Sequence, residues 1–242
     1  MSLIAIDKTF DTPYLNIAFE EAYLDECERG VAGPLLRFWH AQSHFVVMGH
    51  SCRVSDDVKE SACQSMGVPL LRRSSGGGTV LQGPGALSYA LILPIPERGQ
   101  LSRIDAANRY ILERHREVLQ PLVDAPLAVQ GYSDLTMGGR KVAGNAQRRK
   151  KRFFLFHGTF LYHFDLPKIS QTLKMPPRRP DYRGDLPHEA FVANMPLDSE
   201  AIQRCLMEAW GAQPGECDIP TQAMQQVAEE KLSRPEWIYK FP

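Results

Sequence analysis

Two stretches of this sequence gather residue types that handle anions. RRSSGGGTV (72–80) packs two guanidiniums, three hydroxyls and three consecutive glycines into nine residues. A guanidinium can grip phosphate or carboxylate bidentately. Glycines lack Cβ, so a ligand can lie against the main chain and N–H groups can converge on an anion. The spacing is neither a P-loop, which needs GKS or GKT opening a helix, nor the GxGxxG turn of dinucleotide folds. Arg72 and Arg73 are expected at the mouth of this loop. The second stretch, GGRKVAGNAQ (138–147), sets Lys141 between Gly139 and Gly144 beside Val142 and Ala143, where an ammonium can meet a carbonyl or phosphate. Asp134, seven residues earlier, offers a carboxylate to a metal or a base amine. A third piece, LFHGTFL (155–161), carries His157 and Gly158 at an expected bend. Each piece alone has a plainer reading: hairpin arginines in solvent, a snorkelling surface lysine, a turn-forming aspartate, a structural histidine.

Composition narrows the setting. The 242 residues suit one large domain or two small ones and can bury a full core. Lys+Arg and Asp+Glu are balanced at 28 each, so no global field points to nucleic acid or an acidic membrane. No apolar run reaches the roughly 18–20 residues of a membrane helix, and MSLIAID lacks the form of a secretory signal. Five cysteines without a CxxC pair argue against a disulfide framework and a structural zinc site. The expected compartment is the reducing cytoplasm. The basic run RRKKR (148–152) reads as a solvated hairpin, or as a face for an acidic partner.

The elements that must position these motifs read as mixed structure. A helix is expected over 13–28, capped by Asp11 or Thr12, with Leu15, Ala18, Phe19, Ala22 and Tyr23 on one face. Strands are expected at LLRFWH, HFVVMG, VPLLRR and ALSYALILP, and again near 127–131, 133–137, 140–147 and 153–162. Helices are expected over 57–66, 103–120 (Ile104, Ala107, Ile111 and Val118 inward), 167–174, 199–211 and 221–232. Short turns link most strands, so a doubly wound parallel sheet is a poor fit. The expectation is a single α+β domain over 1–242, without internal repeats.

In their order and spacing, RRSSGGGTV, GGRKVAGNAQ and HGTFL resemble the catalytic domain of the lipoate–protein ligase A family. TFDTPYLNIAFEEAYL and SRPEWIYKF are similar to the two ends of that domain. The resemblance implies a mixed, largely antiparallel sheet packed by helices, the fold shared with biotin–protein ligases and octanoyltransferases. It implies an ATP-dependent enzyme that makes lipoyl-AMP from lipoate and ATP with Mg²⁺. The acyl group then passes to a lysine of an apo lipoyl carrier domain, of the dehydrogenase E2 or glycine-cleavage H type. Lys141 would be catalytic, gripping acyl carbonyl and α-phosphate oxygens. Arg73 would hold nucleotide phosphate, while Gly76, Gly77, Gly78, Thr79, Val80 and Leu81 would line nucleotide and acyl chain. Asp134 would lie near nucleotide and Mg²⁺, and Ser75, Gly144, His157 and Gly158 would contact substrate. Val80, Tyr89 and Phe160 are candidates for an apolar acyl tunnel.

The sequence also departs from the family pattern. Gln82-Gly83-Pro84-Gly85 stands where the ligases have His-Asp and is closer to the octanoyltransferase HGPG; Ser133-Asp134 replaces Asn-Asp. The small accessory domain of many ligases is expected to be absent, which would leave its task to a separate small protein. Octanoyl and lipoyl transferases of this fold use a cysteine nucleophile, before GRK in one branch and after the HGT strand in another. Here those places read VQGYS and LKMPPRRPDYRGD, without cysteine. Cys205 and Cys63 read as helix core and Cys217 as a turn residue, leaving Cys52 as the thiol that could border the site. A transferase using a protein-bound acyl donor therefore stays open as the alternative, and a non-catalytic carrier- or lipoate-binding protein as the second. Biotin in place of lipoate ranks lower, because HGTFL and RRSSGGG are lipoate-type.

Overall fold

The computed structural model describes residues 2–241. β1 (Ile4–Asp7) leads into α1 (Pro13–Arg29), whose N-cap Thr12 accepts a hydrogen bond from the Leu15 N–H. β2 (Leu35–His40) and β3 (Phe45–Met48) follow, then two short helices, α2 (Val54–Asp57) and α3 (Glu60–Ser65). β4 (Leu70–Arg72) and β5 (Val80–Gln82) flank the glycine loop and pair with β3 in a three-stranded sheet of order β4-β3-β5. β6 (Ala86–Pro94), α4 (Ile104–Leu119), β7 (Leu127–Gln130), β8 (Asp134–Met137), β9 (Arg140–Arg149) and β10 (Phe153–Leu161) build the middle of the chain. The remainder comprises α5 (Pro167–Thr172), α6 (His188–Phe191), α7 (Ser199–Trp210), β11 (Gln213–Pro214), α8 (Thr221–Val227) and α9 (Pro235–Ile238).

The main sheet has eight strands in the order β11-β1-β2-β6-β10-β9-β8-β7. β1 runs parallel to β2 and β11, and every other pair in it is antiparallel. The fold is thus the mixed, largely antiparallel α+β architecture expected. Alternation along β6 and β10 sends Leu91, Phe156 and Phe160 to a core shared with α4 and α7. It sends Ile92 and Leu155 to a second core shared with α1 and α8. Both faces are covered, which is why β6 reads as an unbroken apolar run.

Three expectations change. The helix over 57–66 is two pieces, because Val58 leaves the helical path to pair with Leu173. Ile104, expected inward, opens α4 at 53% exposure. Tyr89 and Phe160 pack in the α4/α7 core whereas Val80 packs against the α1 core, so the three cannot line one tunnel. The RRKKR run forms the hairpin turn between β9 and β10, with Lys151 and Arg152 exposed, and the turn is anchored to its neighbours. Glu28 of α1 accepts from the N–H groups of Lys151, Arg152 and Phe153, Lys150 pairs with Asp25, and Arg149 donates to the Leu101 and Ser102 carbonyls. Among the described residues no helix is long and apolar enough to cross a membrane.

Candidate active site

The glycine loop is built from behind by Arg73. This side chain is 7% exposed; its Nε donates to Ser75 Oγ at 3.0 Å, its Nη1 to the Val47 carbonyl at 3.2 Å, and its Nη2 to the Gly76 and Gly78 carbonyls at 2.6 and 2.8 Å. Burial lowers its pKa to about 10, which keeps it charged at neutral pH. The expectation that Arg73 grips phosphate directly needs correction, because its donors face the loop's own carbonyls. Drawing those carbonyls inward has a different result. The N–H groups of Gly76, Gly77 and Gly78 take no acceptor from the described residues, and all three glycines are exposed. The loop therefore offers a set of free N–H donors backed by a buried cation, an arrangement suited to an anion. Only Gly77 is held to its residue type by conformation, at φ +84° with a Cβ position 2.9 Å from Arg73 Nη2. Arg72 turns away from the loop: it is fully buried and donates to the carbonyls of Gly49, His50, Cys52, Trp237 and Ile238.

β9 carries both remaining parts. Gly77 settles against Ala146, and Arg148 donates to the Ser74 carbonyl at 2.8 Å, so the loop lies along the second half of this strand. Lys141, at its start, folds over Gly144, where any Cβ would stand 2.6 Å from Lys141 Nζ. The ammonium pairs with Asp134 Oδ1 at 2.7 Å, and Tyr182 donates to Asp134 Oδ2, also at 2.7 Å. The β-bulge between Leu135 and Thr136 shifts the register of β8 against β9, so Asp134 stands opposite Gly144 while Thr136 faces Lys141. Burial, followed by the neighbouring Asp134 charge, raises the Tyr182 pKa far above its ordinary value, so Tyr182 stays a donor. Tyr182 belongs to a strap over 174–193 whose Ala193 N–H returns to the Lys141 carbonyl. Ser133 Oγ donates to the Asn145 carbonyl, and Tyr89 donates to Asn145 Oδ1, which folds across Gly158 of the neighbouring strand.

His157 joins the loop to the core. Its Nε2 lies 2.6 Å from Ser75 Oγ and its Nδ1 lies 2.5 Å from Glu20 Oε2, while Glu20 Oε1 accepts from Trp39 Nε1 at 3.1 Å. Trp39, Glu20, His157, Ser75 and Arg73 thus form one continuous buried chain ending on the glycine loop. Glu20 was not singled out in the sequence. The available signal was polar Asn16 and Glu20, one helical turn apart, on the face of α1 that Phe19 and Tyr23 mark as buried. Val80 and Leu81 sit at the exit of the loop in β5, and the Thr79 hydroxyl is directed to Asp57.

Two further tests bear on the chemistry. Among the described residues no cluster of three or more His, Cys, Asp or Glu could hold a metal, and both Asp134 oxygens have protein partners. The residues present do not form a Mg²⁺ site of their own. Of the cysteines, Cys27, Cys63 and Cys205 are buried, and Cys217 lies away from the loop against the α1 core. Cys52 does reach the loop, its Sγ 3.4 Å from the Gly77 carbonyl, and burial raises its pKa, which disfavours the thiolate.

The model of the lipoyl protein ligase A/B catalytic domain matches residues 12–201, and this chain belongs to that family. Among curated relatives, a protein of Mycoplasma pneumoniae named as a lipoate-protein ligase A is 29% identical over 163 residues, 67% of this chain and 46% of the relative. Octanoyltransferase LipM of Exiguobacterium sibiricum is 29% identical over 169 residues, covering 61% of each chain. The chain thus spans about half to three fifths of the length of these relatives. Of solved structures, a Thermoplasma acidophilum protein described as a lipoate protein ligase with bound lipoic acid superposes with a TM-score of 0.80. It is 19% identical and 98% of each chain is covered. A lipoate-protein ligase A bound with ATP also gives 0.80, at 21% identity and the same coverage. These superpositions place the chain in the lipoate-ligase fold.

Proposed function

We propose that this chain attaches lipoate, or a related medium-length acyl group, to a lysine of a lipoyl carrier domain through an acyl-adenylate. The observation that carries the reading is that one strand, β9, supports both a glycine loop with N–H groups unpaired among the described residues and the Lys141 ammonium. A carboxylate meeting a nucleotide phosphate brings two anions together, and preorganised donors and a cation offset that charge as the transition state forms. The acyl carboxylate attacks the α-phosphorus and pyrophosphate leaves; the carrier amine then attacks the acyl carbonyl and AMP leaves with the proton lost from nitrogen. In this scheme the N–H groups of Gly76–Gly78 hold phosphate oxygens. Lys141 moves from Asp134 to the acyl carbonyl and α-phosphate, while Ser75 and His157 face the acyl chain. The relative named as a ligase, and solved neighbours holding lipoic acid and ATP, support this reading.

A second reading, ATP-independent octanoyl or lipoyl transfer from a protein-bound donor, is favoured by the relative named octanoyltransferase LipM and by Cys52 beside Gly77. Intact mass of an apo carrier domain separates the two. The ligase reading expects a lipoyl increment with ATP, Mg²⁺ and lipoate and no thioester on this chain. Carrier acylation from an octanoyl-carrier donor without ATP, with an octanoyl adduct on Cys52, would replace it by the transferase reading. Binding of lipoate without carrier modification under either condition would indicate a non-catalytic protein.

A further inference from the structure

We infer that Asp57 is a positioning residue for the glycine loop, acting through the Thr79 hydroxyl; the inference rests on the acyl-transfer reading above. Asp57 ends α2 and is 7% exposed, yet no Lys, Arg or His among the described residues lies within 4.0 Å of its carboxylate. A buried carboxylate without a cation is costly, and such groups persist where a specific contact needs them. The contact here is Thr79 Oγ1 donating to Asp57 Oδ2 at 2.6 Å. Thr79 follows Gly78, so this bond fixes the exit of the loop as Arg73 fixes its middle.

Asp57 is itself firmly held. Its carbonyl accepts from the Lys174 N–H at 2.9 Å, Lys174 Nζ donates to the Ser55 carbonyl, and the Lys59 N–H donates to the Thr172 carbonyl at 2.8 Å. α2 is thereby tied to α5, outside the loop. Without the Asp57–Thr79 bond, Arg73 still holds Gly78 and β5 still begins at Val80, but Thr79 between them is released and the exit of the loop loses its fixed direction.

The test uses Thr79→Val, Thr79→Ser, Asp57→Ala and the Asp57→Ala/Thr79→Val double variant of the full chain. Two measurements are made: steady-state transfer to the carrier domain, and the rate at which iodoacetamide alkylates Cys52, mapped by peptide mass. Cys52 touches the Gly77 carbonyl but also interacts with Thr79 and Asp57, so its labelling is compared as the plateau rate at high pH, where the thiol is fully ionised, and then reports the loop independently of activity and of thiol pKa. We expect Thr79→Val and Asp57→Ala each to lower kcat/KM for the acyl substrate about tenfold, through KM. We expect Cys52 labelling to quicken several-fold in both, Thr79→Ser to behave as wild type, and the double variant to be no worse than either single one, as for one shared link. Additive losses, or unchanged Cys52 labelling in Thr79→Val, would overturn the inference. Should Asp57→Ala fail to fold, the Thr79→Val and Thr79→Ser pair decides alone. If the wild type transfers no acyl group, the functional reading falls while the labelling arm still tests Asp57.

Discussion

The two halves of the site are held by different physics. The glycine-loop half hangs on a buried chain, Trp39–Glu20–His157–Ser75–Arg73, in which Trp39, Glu20, Ser75 and Arg73 are each under 9% exposed. In the Lys141 half the side chains form one ion pair, 25% and 13% exposed, overlaid by a strap whose Tyr182 hydroxyl holds Asp134 and whose Ala193 N–H holds the Lys141 carbonyl. A buried polar network is stiff because any broken link leaves an unsatisfied group away from water. A pair that water still reaches can open more readily, because solvent compensates both partners in part. The loop half is therefore preorganised, as the proposed function requires of an anion site. Under the proposed function, the lysine half exchanges Asp134 for substrate.

Four experiments can break or sharpen that contrast. The largest effect is expected from Lys141→Ala. It should lower the transfer rate by a hundredfold or more, about 3 kcal/mol in barrier, while urea unfolding shifts by less than about 1 kcal/mol. Near-normal turnover would remove Lys141 from the chemistry. Glu20→Ala should reverse the pattern, destabilising the fold by about 1–3 kcal/mol because His157 and Trp39 lose a buried acceptor. An unfolding midpoint equal to wild type would show the chain is not stiff.

Acid should act on the support beneath the Lys141 half. His115 is buried, accepts from Trp210 Nε1 and packs its ring against Tyr89, which holds Asn145; burial lowers its pKa to about 3. The folded state keeps His115 neutral while the unfolded chain protonates it below its ordinary value near 6.5. Its stability contribution is thus complete above that pH and is lost as pH falls toward 3, by up to about 1.4 kcal/mol per pH unit. Urea melts at stepped pH values should show this slope, and His115→Phe should flatten it; an equal slope in both would assign the acid sensitivity elsewhere. The smallest effect is expected from Tyr182→Phe. Stability should change by about 1 kcal/mol or less, with trypsin cutting faster after Arg178 in the strap. Unchanged cleavage would mean the hydroxyl does not hold it.

Much of this fold could be read from periodicity. β6 and α1 stand within a residue of their expected ranges, because an unbroken apolar run and a capped helix announce themselves locally. β1 went unnoticed: IAID is four residues long and gains its partners, β2 and β11, from distant parts of the chain. The site was legible as motifs rather than as roles. Glycines and Lys141 could be recognised by type and spacing. That Arg73 faces carbonyls, or that Glu20 of α1 reaches His157 across 137 positions, depends on side-chain direction, which spacing alone does not encode.

The fully buried Arg72 has a consequence for the order in which the molecule can be completed. Its guanidinium needs the Trp237 and Ile238 carbonyls, and the Trp237 indole N–H returns to the Arg72 carbonyl at 2.8 Å, a link spanning 165 positions. On a ribosome, β4 emerges long before those partners, and until they arrive its cation has only part of its shell. Contacts between such distant positions form late, because the connecting chain must first be ordered. Consolidation of the strand that feeds the glycine loop is thus expected to await residues 237–238, making the formed glycine loop one of the last features the nascent chain acquires.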